Sequence, residues 1–316
     1  MAGEVTSKAV TYKGSGGYDV IHVAERTVRA PGEGEVRIAV QASAISPVDV
    51  AMRMMGSPDP SQPLTPGMDA AGIVEAVGPG VTRVKVGDKV MAGVMPIRAE
   101  GGGQAEHVVV PEASVIGIPK GLSIVEASTL PMNGLTALLA LELAALKPGQ
   151  NFAVSGGAGL LASYAIPAAK AQGLRVIADA KPSDVELVKS YGADVVVERG
   201  EGFNEAVRKA TDGGADAILD TAVLGKGVFG ALKEGGVYLS VRQVNDAPER
   251  GIQMRPVWVN VALQRTDMLE TLKTLVEAGK IRTRVTGEFP PEKVGEAHKI
   301  LEAGGQRGRS VIVFGK

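Results

Sequence analysis

The sequence predicts an α/β protein with two domains, one rich in antiparallel strands and one built on a doubly wound parallel sheet. The chain has 316 residues, enough for two domains with ample cores. Residues 1 to about 122 are strand-like and rich in turns, whereas strands and helices alternate from Gln150 onward. A glycine-rich turn joins the first strand and first helix of that alternating region. These three observations define the fold class.

The first region contains short strands separated by turns. Residues 35–44 and 104–110 alternate between apolar and polar side chains, and residues 72–77 are apolar. Proline and glycine dipeptides or triplets punctuate them, at residues 30–32, 66–67, 78–80, 86–88 and 101–103. This spacing predicts an antiparallel, barrel-like domain.

The second region begins with a helical stretch over residues 123–146 that Pro131 interrupts. The strands expected after it, with helices between them, cover residues 150–155, 174–179, 194–197, 215–220 and 236–241. Such alternation predicts a parallel sheet covered by helices. Beyond Trp258 we expect a helix near 267–278, a strand near 281–288, a helix near 291–303 and a strand near 309–314.

The glycine turn has the pattern of a dinucleotide fingerprint, because Gly157, Gly159 and Ala162 satisfy G-x-G-x-x-A. Small residues allow a tight turn, a close approach of backbone N–H groups to a pyrophosphate, and close packing of helix on strand. The positive end of the helix dipole lies where the phosphates bind. The backbone groups expected to bind the cofactor belong to Gly156, Gly157, Ala158, Gly159, Leu160 and Leu161. The alternative is a strand–helix turn with no ligand.

Asp179 lies twenty residues after Gly159, at the end of the second strand of this region. An acid there accepts the hydroxyls of the adenosine ribose and repels a 2′-phosphate, which favours NADH over NADPH. Lys181 lies two residues on and favours NADPH, since its ammonium group can reach a 2′-phosphate. The alternative for Asp179 is a helix cap near Ser183.

Composition limits the partners and the compartment. The formal net charge of −1 gives no electrostatic reason to expect nucleic acid or an anionic membrane as partner. The N-terminal residues lack a signal-peptide pattern, no apolar run of 18 residues is evident, and cysteine is absent. We therefore expect a cytoplasmic protein that binds a small-molecule substrate, with no disulfide and no thiolate chemistry.

Several runs, in the same order along the chain, resemble the medium-chain dehydrogenase/reductase superfamily. They cover residues 44–49, 66–78, 86–90, 102–111, 130–137 and the glycine turn, and continue at 273–279, 296–298 and 308–313. Within that superfamily the chain is similar to zinc-independent quinone oxidoreductases of the zeta-crystallin type. The resemblance implies a GroES-like substrate domain over residues 1–122 and 263–316, a Rossmann domain over 123–262, and a cleft between them.

The resemblance also implies a function, namely NAD(P)H-dependent hydride transfer to a quinone, an enone or a related carbonyl compound. It places Ser46 beside the nicotinamide, with Asp49 and Arg53 as further catalytic candidates. The cofactor-binding candidates that it adds are Thr136, Arg199, Ala222, Val223, Ser240, Val241 and Arg242. Structural alternatives stay open: a salt bridge for Asp49 and Arg53, helix packing for Thr136, and a strand-end hydroxyl for Ser240. No proton donor is identified.

The aligned residues argue against zinc. Ser46 stands where zinc alcohol dehydrogenases have a catalytic cysteine, Met68-Asp69 stands where they have a His-Glu pair, and the third ligand aligns near Met132. Such a set offers neither thiolate nor imidazole, so it binds Zn²⁺ poorly. His22, His107 and His298 lie far apart in sequence and are expected to be ordinary surface or packing residues.

Two other functions remain open at this point. One is a redox-silent relative that uses the cleft for binding or for a non-redox reaction in specialised metabolism, and the other is RNA binding, which the net charge disfavours. A homodimer is expected from the resemblance and from residues 257–262, an apolar stretch interpreted as an edge strand that a second subunit covers. The alternative is that this stretch is internal to one subunit.

Overall fold

The computed structural model describes residues 3–57, 59 and 61–315, and it confirms the predicted fold class. Two compact units are present. The first comprises Met1–Met132, Leu263–Glu277 and Thr283–Lys316, and the second comprises Asn133–Ala262 and Ala278–Arg282. The first unit thus continues to Met132, beyond the limit of 122 that the sequence suggested.

The strands are β1 (Val5–Tyr12), β2 (Ile21–Val28), β3 (Glu35–Ala44), β4 (Asp69–Val77), β5 (Lys89–Gly93), β6 (His107–Pro111), β7 (Val115–Gly117), β8 (Asn151–Ser155), β9 (Arg175–Ala180), β10 (Val195–Glu198), β11 (Ala215–Asp220), β12 (Leu232–Ser240), β13 (Gln253–Pro256), β14 (Val285–Phe289) and β15 (Arg309–Val313). The α-helices are α1 (Pro47–Met55), α2 (Ile124–Ala127), α3 (Pro131–Ala144), α4 (Leu160–Ala171), α5 (Val185–Ser190), α6 (Phe203–Thr211), α7 (Thr266–Glu277) and α8 (Val294–Ala303).

The first unit is built on a sheet with the strand order β14-β15-β3-β4-β5-β7, and β6 also pairs with β3. All of its pairings are antiparallel except that of β14 with β15. Alternation along β3 buries Val36, Ile38 and Val40 in one apolar core. Strands β1 and β2 form a separate antiparallel pair.

The second unit is built on a parallel sheet with the strand order β10-β9-β8-β11-β12-β13. The chain winds outward from β8 in one direction and from β11 in the other, so the strand order reverses between these two neighbours. Ligands of doubly wound sheets bind at the carboxyl ends of the strands beside such a reversal. The ends of β8 and β11 therefore mark where the site is expected.

Two predicted elements of the second unit are wrong. An α-helix was expected between β11 and β12, but Gly225–Ala231 forms a 3-10 helix, since three glycines in seven residues disfavour an α-helix. The stretch 257–262 is not a strand. The edge strand is β13, which ends at Pro256, and Val259–Val261 forms a short 3-10 helix.

No apolar run of 18 residues was expected, but the stretch Ile124–Ala144 is long and apolar enough to cross a membrane by length and composition. However, 83% of its most apolar 18-residue segment is buried within the protein. Burial of this extent is what a core helix shows, and the same stretch carries the break before Pro131 that the sequence predicted.

Candidate active site

The glycine turn connects the end of β8 to the start of α4 and leaves no room for side chains. Gly156 has a φ of 72°, and a Cβ there would lie 2.7 Å from the Thr221 hydroxyl. A Cβ on Gly157 would lie 2.5 Å from the carbonyl oxygen of Asp179. Both positions therefore require glycine, and the turn exposes backbone in place of side chains.

Helix α4 begins directly after this turn, with Gly159 as its N-cap and no side-chain hydrogen bond to its first N–H groups. Leu160 and Leu161 are only partly buried. The first N–H groups of a helix have no partner within the helix, and the helix dipole adds positive charge there. The turn and helix end therefore fit the pyrophosphate of a dinucleotide.

Asp179 is tied to the glycine turn. Its side chain is 3% exposed, and its Oδ1 accepts a hydrogen bond of 2.9 Å from the N–H of Gly157. The alternative of a helix cap is wrong, since no side chain caps the short helices that begin after Lys181 and Asp184. The turn and the acid of the fingerprint thus form one rigid unit.

Two cationic side chains follow the carboxyl ends of β9 and β10, at the same edge of the parallel sheet as Asp179. The Nε of Arg199 lies 4.0 Å from Oδ2 of Asp179, and half of the Arg199 side chain is exposed. Lys181 is exposed immediately after β9. The Asp179 charge is therefore partly balanced at the place where the adenosine ribose is expected.

The other predicted cofactor residues follow β11 and β12. Ala222 and Val223 follow Thr221 after the end of β11, and Ala222 lies beside Gly156. Ser240 is the last residue of β12, opposite Asp220 in the register. Val241 and Arg242 continue from Ser240, and Arg242 is exposed. Thr136 is buried on α3. The structure thus brings the turn, Asp179, Arg199 and Ala222 together at the carboxyl edge of the parallel sheet.

In the first unit, Ser46 and Asp49 form a capping box at the start of α1. The N–H and the hydroxyl of Ser46 donate to Oδ2 of Asp49 over 2.6 Å and 2.9 Å. Oδ1 of Asp49 accepts from the N–H of Gly67 over 2.9 Å. Both residues are fully buried, and burial raises the pKa of Asp49 above its usual value. These bonds fix the loop before α1 against the loop before β4.

Asp69 and Arg309 form a buried ion pair nearby. Nη1 of Arg309 lies 3.4 Å from Oδ2 of Asp69 and donates to the carbonyl of Ile45 over 3.0 Å. The N–H of Met132 donates to Oδ1 of Asp69 over 2.6 Å. Burial raises the pKa of Asp69 to about 6, and Arg309 opposes that rise. Asp69, the carboxylate aligned with a metal site, thus bonds to a guanidinium and to a backbone N–H group.

Arg53 forms a structural salt bridge, the alternative left open for it, but its partner is Glu302 and not Asp49. Its Nη2 donates to Glu302 over 2.9 Å, and its guanidinium lies 4.5 Å from the ring centre of Tyr18. Tyr18 also donates to Glu302 over 2.8 Å. Arg53 therefore joins α1 to α8.

The three histidines lie in separate places. His298 is buried on α8, 3.2 Å from the hydroxyl of Tyr12, and burial lowers its pKa to about 4. His107 lies 3.4 Å from Glu75, and His22 is exposed. Among residues 3–57, 59 and 61–315, no group of three or more histidines, aspartates or glutamates is placed to hold a metal ion.

Three polar residues at the carboxyl edge of the parallel sheet were not singled out from sequence as site residues. Ser155 ends β8, Asp220 ends β11, and the hydroxyl of Tyr238 on β12 reaches the Asp220 carboxylate over 2.8 Å. The available signal was the same as for Asp179: a polar residue closing an apolar strand of a parallel sheet. This pattern singled out Asp179 at the end of β9, but Asp220 at the end of β11 was not singled out.

Comparison with known proteins identifies two family matches along the chain. Residues 32–120 match the alcohol dehydrogenase GroES-like domain, and residues 191–312 match the zinc-binding dehydrogenase family. The two matches fall on both units, and the second continues from the parallel sheet into the C-terminal part of the first unit.

Several known proteins resemble the chain over nearly its whole length. It is 32% identical to the 2-methylene-furan-3-one reductase of Solanum lycopersicum, over 96% of this chain and 78% of that protein. It is 31% identical to the chloroplastic NADPH-dependent alkenal/one oxidoreductase of Arabidopsis thaliana, over 96% and 79%. The structure of the quinone oxidoreductase from Coxiella burnetii superposes with a TM-score of 0.83 at 26% identity, over 98% of this chain and 100% of that one.

Proposed function

We propose that this chain, which belongs to the medium-chain dehydrogenase/reductase superfamily, is a nicotinamide-dependent reductase of enones or quinones. The observation that carries the proposal is the glycine turn bonded to Asp179 through the N–H of Gly157. The names of the relatives supply the substrate class, since one reduces a methylene-furanone and another acts on alkenals or alkenones. The superfamily supplies the nicotinamide cofactor.

The chain's own residues bind and orient the dinucleotide. Backbone N–H groups at the start of α4 receive the pyrophosphate, and Asp179 receives the adenosine ribose. When bound, the reduced nicotinamide supplies a hydride. The protein contributes by holding the reactants in a fixed orientation.

We propose that the reaction needs no zinc, in spite of the zinc-binding name of one matching family. Ser46, Met68 and Met132 offer weak donors where zinc alcohol dehydrogenases have thiolate and imidazole. The nearby carboxylates of Asp49 and Asp69 are occupied by hydrogen bonds and by Arg309. This donor set does not fit a tetrahedral zinc ion.

Of the three catalytic candidates, we propose that Asp49 and Arg53 position α1 and do not react. Both side chains are buried and bonded within the first unit. Ser46 keeps its predicted place beside the nicotinamide as a proposal, with its hydroxyl proton directed to Asp49.

The function is tested by following the oxidation of NADH and of NADPH by the purified protein, with an α,β-unsaturated ketone or a quinone as acceptor. We expect oxidation that depends on the acceptor and is unchanged by a metal chelator. Failure to bind either nucleotide would favour the redox-silent alternative. Activity lost with chelator and restored by zinc would contradict the metal-free proposal.

We propose that NADH is preferred over NADPH because of Asp179. The side chain is buried and held by Gly157, so it does not swing away from an incoming 2′-phosphate. Like charges in contact at a surface-like dielectric cost about 1 to 4 kcal/mol. We expect Asp179→Ser to lower the NADH-to-NADPH affinity ratio by roughly tenfold or more, measured as two dissociation constants.

Asp194→Ser is the matched control for this substitution. Asp194 accepts hydrogen bonds from Lys170 and from the N–H of Val176, at the opposite end of β9 from Asp179. Its replacement should leave the ratio unchanged. A wild type that prefers NADPH, or a ratio that Asp179→Ser does not move, would show that Asp179 is not the discriminator.

We also propose a homodimer that forms along the edge of the parallel sheet. The edge strand is β13, and the exposed side chains of Trp258 and Val261 follow it. Uncovered edges of this kind promote association. We expect light scattering at micromolar concentration to give the dimer mass, and a monomer mass would refute the proposal. A cytoplasmic location, and the absence of nucleic-acid and membrane partners, stay predictions from sequence.

A further inference from the structure

The carboxylate of Asp220 joins three elements at the carboxyl edge of the parallel sheet. Asp220 is the last residue of β11, which neighbours β8 where the strand order reverses, and it is 1% exposed. We propose that Asp220 is a positioning residue that shapes the segment 221–226, here called the β11 loop, to receive the nicotinamide half of the dinucleotide. This inference rests on the proposed nucleotide-dependent function.

One oxygen of Asp220 ties the β11 loop to the glycine turn. Its Oδ1 accepts from the hydroxyl of Ser155, the residue before Gly156, over 2.6 Å. The oxygen of that hydroxyl in turn accepts from the N–H of Ala222 over 3.2 Å. Thr221 adds a bond of 2.6 Å to the carbonyl of Ser155. The loop and the turn are thus held at a fixed spacing.

The other oxygen of Asp220 fixes the far side of the loop. Its Oδ2 accepts from the N–H groups of Leu224 and Gly225 over 2.7 Å and 2.9 Å, and from the hydroxyl of Tyr238 over 2.8 Å. Burial and this bond raise the pKa of the Tyr238 phenol. The phenol therefore stays protonated and continues to donate.

The loop that these bonds hold is strained. Val223 has a φ of 58°, which a β-branched residue rarely adopts. The side chains of Val223 and Leu224 are nevertheless 44% and 49% exposed. Strained backbone persists only where its surroundings enforce it, and such residues cluster at ligand sites. Asp220 bonds the two N–H groups after Val223 directly, and it holds the Ser155 hydroxyl that bonds the N–H before Val223.

The position of the β11 loop indicates which half of the dinucleotide it contacts. A dinucleotide lies across the carboxyl edge of the sheet with its pyrophosphate at the glycine turn. Since Asp179 on β9 marks the adenosine side, the nicotinamide half extends over β11 and β12. The apolar side chains of Val223 and Leu224 are exposed on that side.

The test compares Asp220→Ala with Asp216→Ala in the full-length protein. Asp216 lies at the other end of β11 and accepts from Gln150, from the N–H of Asn151 and from Lys233. It therefore ties the same strands at the edge away from the ligand. The dissociation constants of NADH and of ADP-ribose, which lacks the nicotinamide, are measured for both variants and the wild type.

We expect Asp220→Ala to weaken NADH binding about tenfold or more and ADP-ribose binding by less than about threefold, whereas Asp216→Ala changes the two equally. Asp220→Asn, which keeps an acceptor for the loop N–H groups, should show a smaller loss with the same selectivity even if the alanine variant does not fold. Equal losses for the two ligands in the Asp220 variants, or no loss, would overturn the inference. Failure of the wild type to bind either NADH or NADPH would instead refute the proposed function.

Discussion

We expect Gly157→Val to weaken NADH binding by roughly tenfold to a hundredfold, the range that corresponds to the usual cost of overpacking. The added Cβ would lie 2.5 Å from the carbonyl oxygen of Asp179 and 3.0 Å from the Cβ of Ala178. Both contacts are on β9, whose core residues are buried, so the turn must move and not the strand. The shift would displace the N–H groups that receive the pyrophosphate. Isothermal titration measures the change.

Gly202→Ala is the control for this substitution. Gly202 lies before α6 with a φ of −75°, and a Cβ there meets no atom within 4 Å. Its replacement should leave the dissociation constant of NADH unchanged. Wild-type affinity in Gly157→Val would mean that the turn does not bind the cofactor.

The second large effect is expected in the first unit, where Arg309→Met should lower the free energy of unfolding by about 3 to 5 kcal/mol. The substitution removes the cation beside Asp69 and leaves two buried carboxylates, those of Asp49 and Asp69, without it. Methionine occupies a volume similar to that of arginine, so the lost stability comes more from the missing charge than from poorer packing. Thermal unfolding followed by calorimetry measures it.

A second substitution separates the loss of the charge pair from the loss of packing. Asp69→Asn removes the unpaired charge and keeps an oxygen that accepts from the N–H of Met132. The double variant of Arg309→Met and Asp69→Asn should therefore regain at least half of the lost stability. A double variant as unstable as Arg309→Met alone would mean that packing, and not the charge pair, stabilises this region.

Local patterns were sufficient to predict the parallel sheet and the glycine turn at its edge. The alternation of apolar strands with helices predicted β8 to β12, and the central strands β8 and β11 are buried on both faces. The spacing of Gly157, Gly159 and Asp179 predicted a turn and an acid at one edge, and the structure adds the bond between them. The role of this site stays a proposal.

Long-range contacts explain what sequence analysis missed. A salt bridge was left open for Asp49 and Arg53, and Arg53 forms one with Glu302, whereas Asp49 bonds Gly67. Neither partner follows from local spacing. Asp69 and Arg309 likewise meet only because the C-terminal strand β15 pairs with β3, which also pairs with β4.

The stretch 257–262 shows the limit of composition as a guide to strands. Its apolar and β-branched residues favour a strand, yet the strand register with β12 ends at Pro256. Only the N–H of Val257 still bonds the last carbonyl of β12, that of Ser240, and the chain then turns into a 3-10 helix. Pairing partners, not propensity, decided the outcome. The expected edge of the sheet exists a few residues earlier, at β13.

The central claim is that a reduced nicotinamide delivers hydride to an activated carbon–carbon double bond in this protein. The most direct measurement uses NADH deuterated at C4 on either face, an α,β-unsaturated ketone and a chelator, with the product analysed by NMR. We expect the saturated ketone, with one deuterium at the carbon β to the carbonyl group for one of the two deuterated faces. An alcohol carrying deuterium at the carbonyl carbon, or a product without deuterium from either form, would contradict the claim.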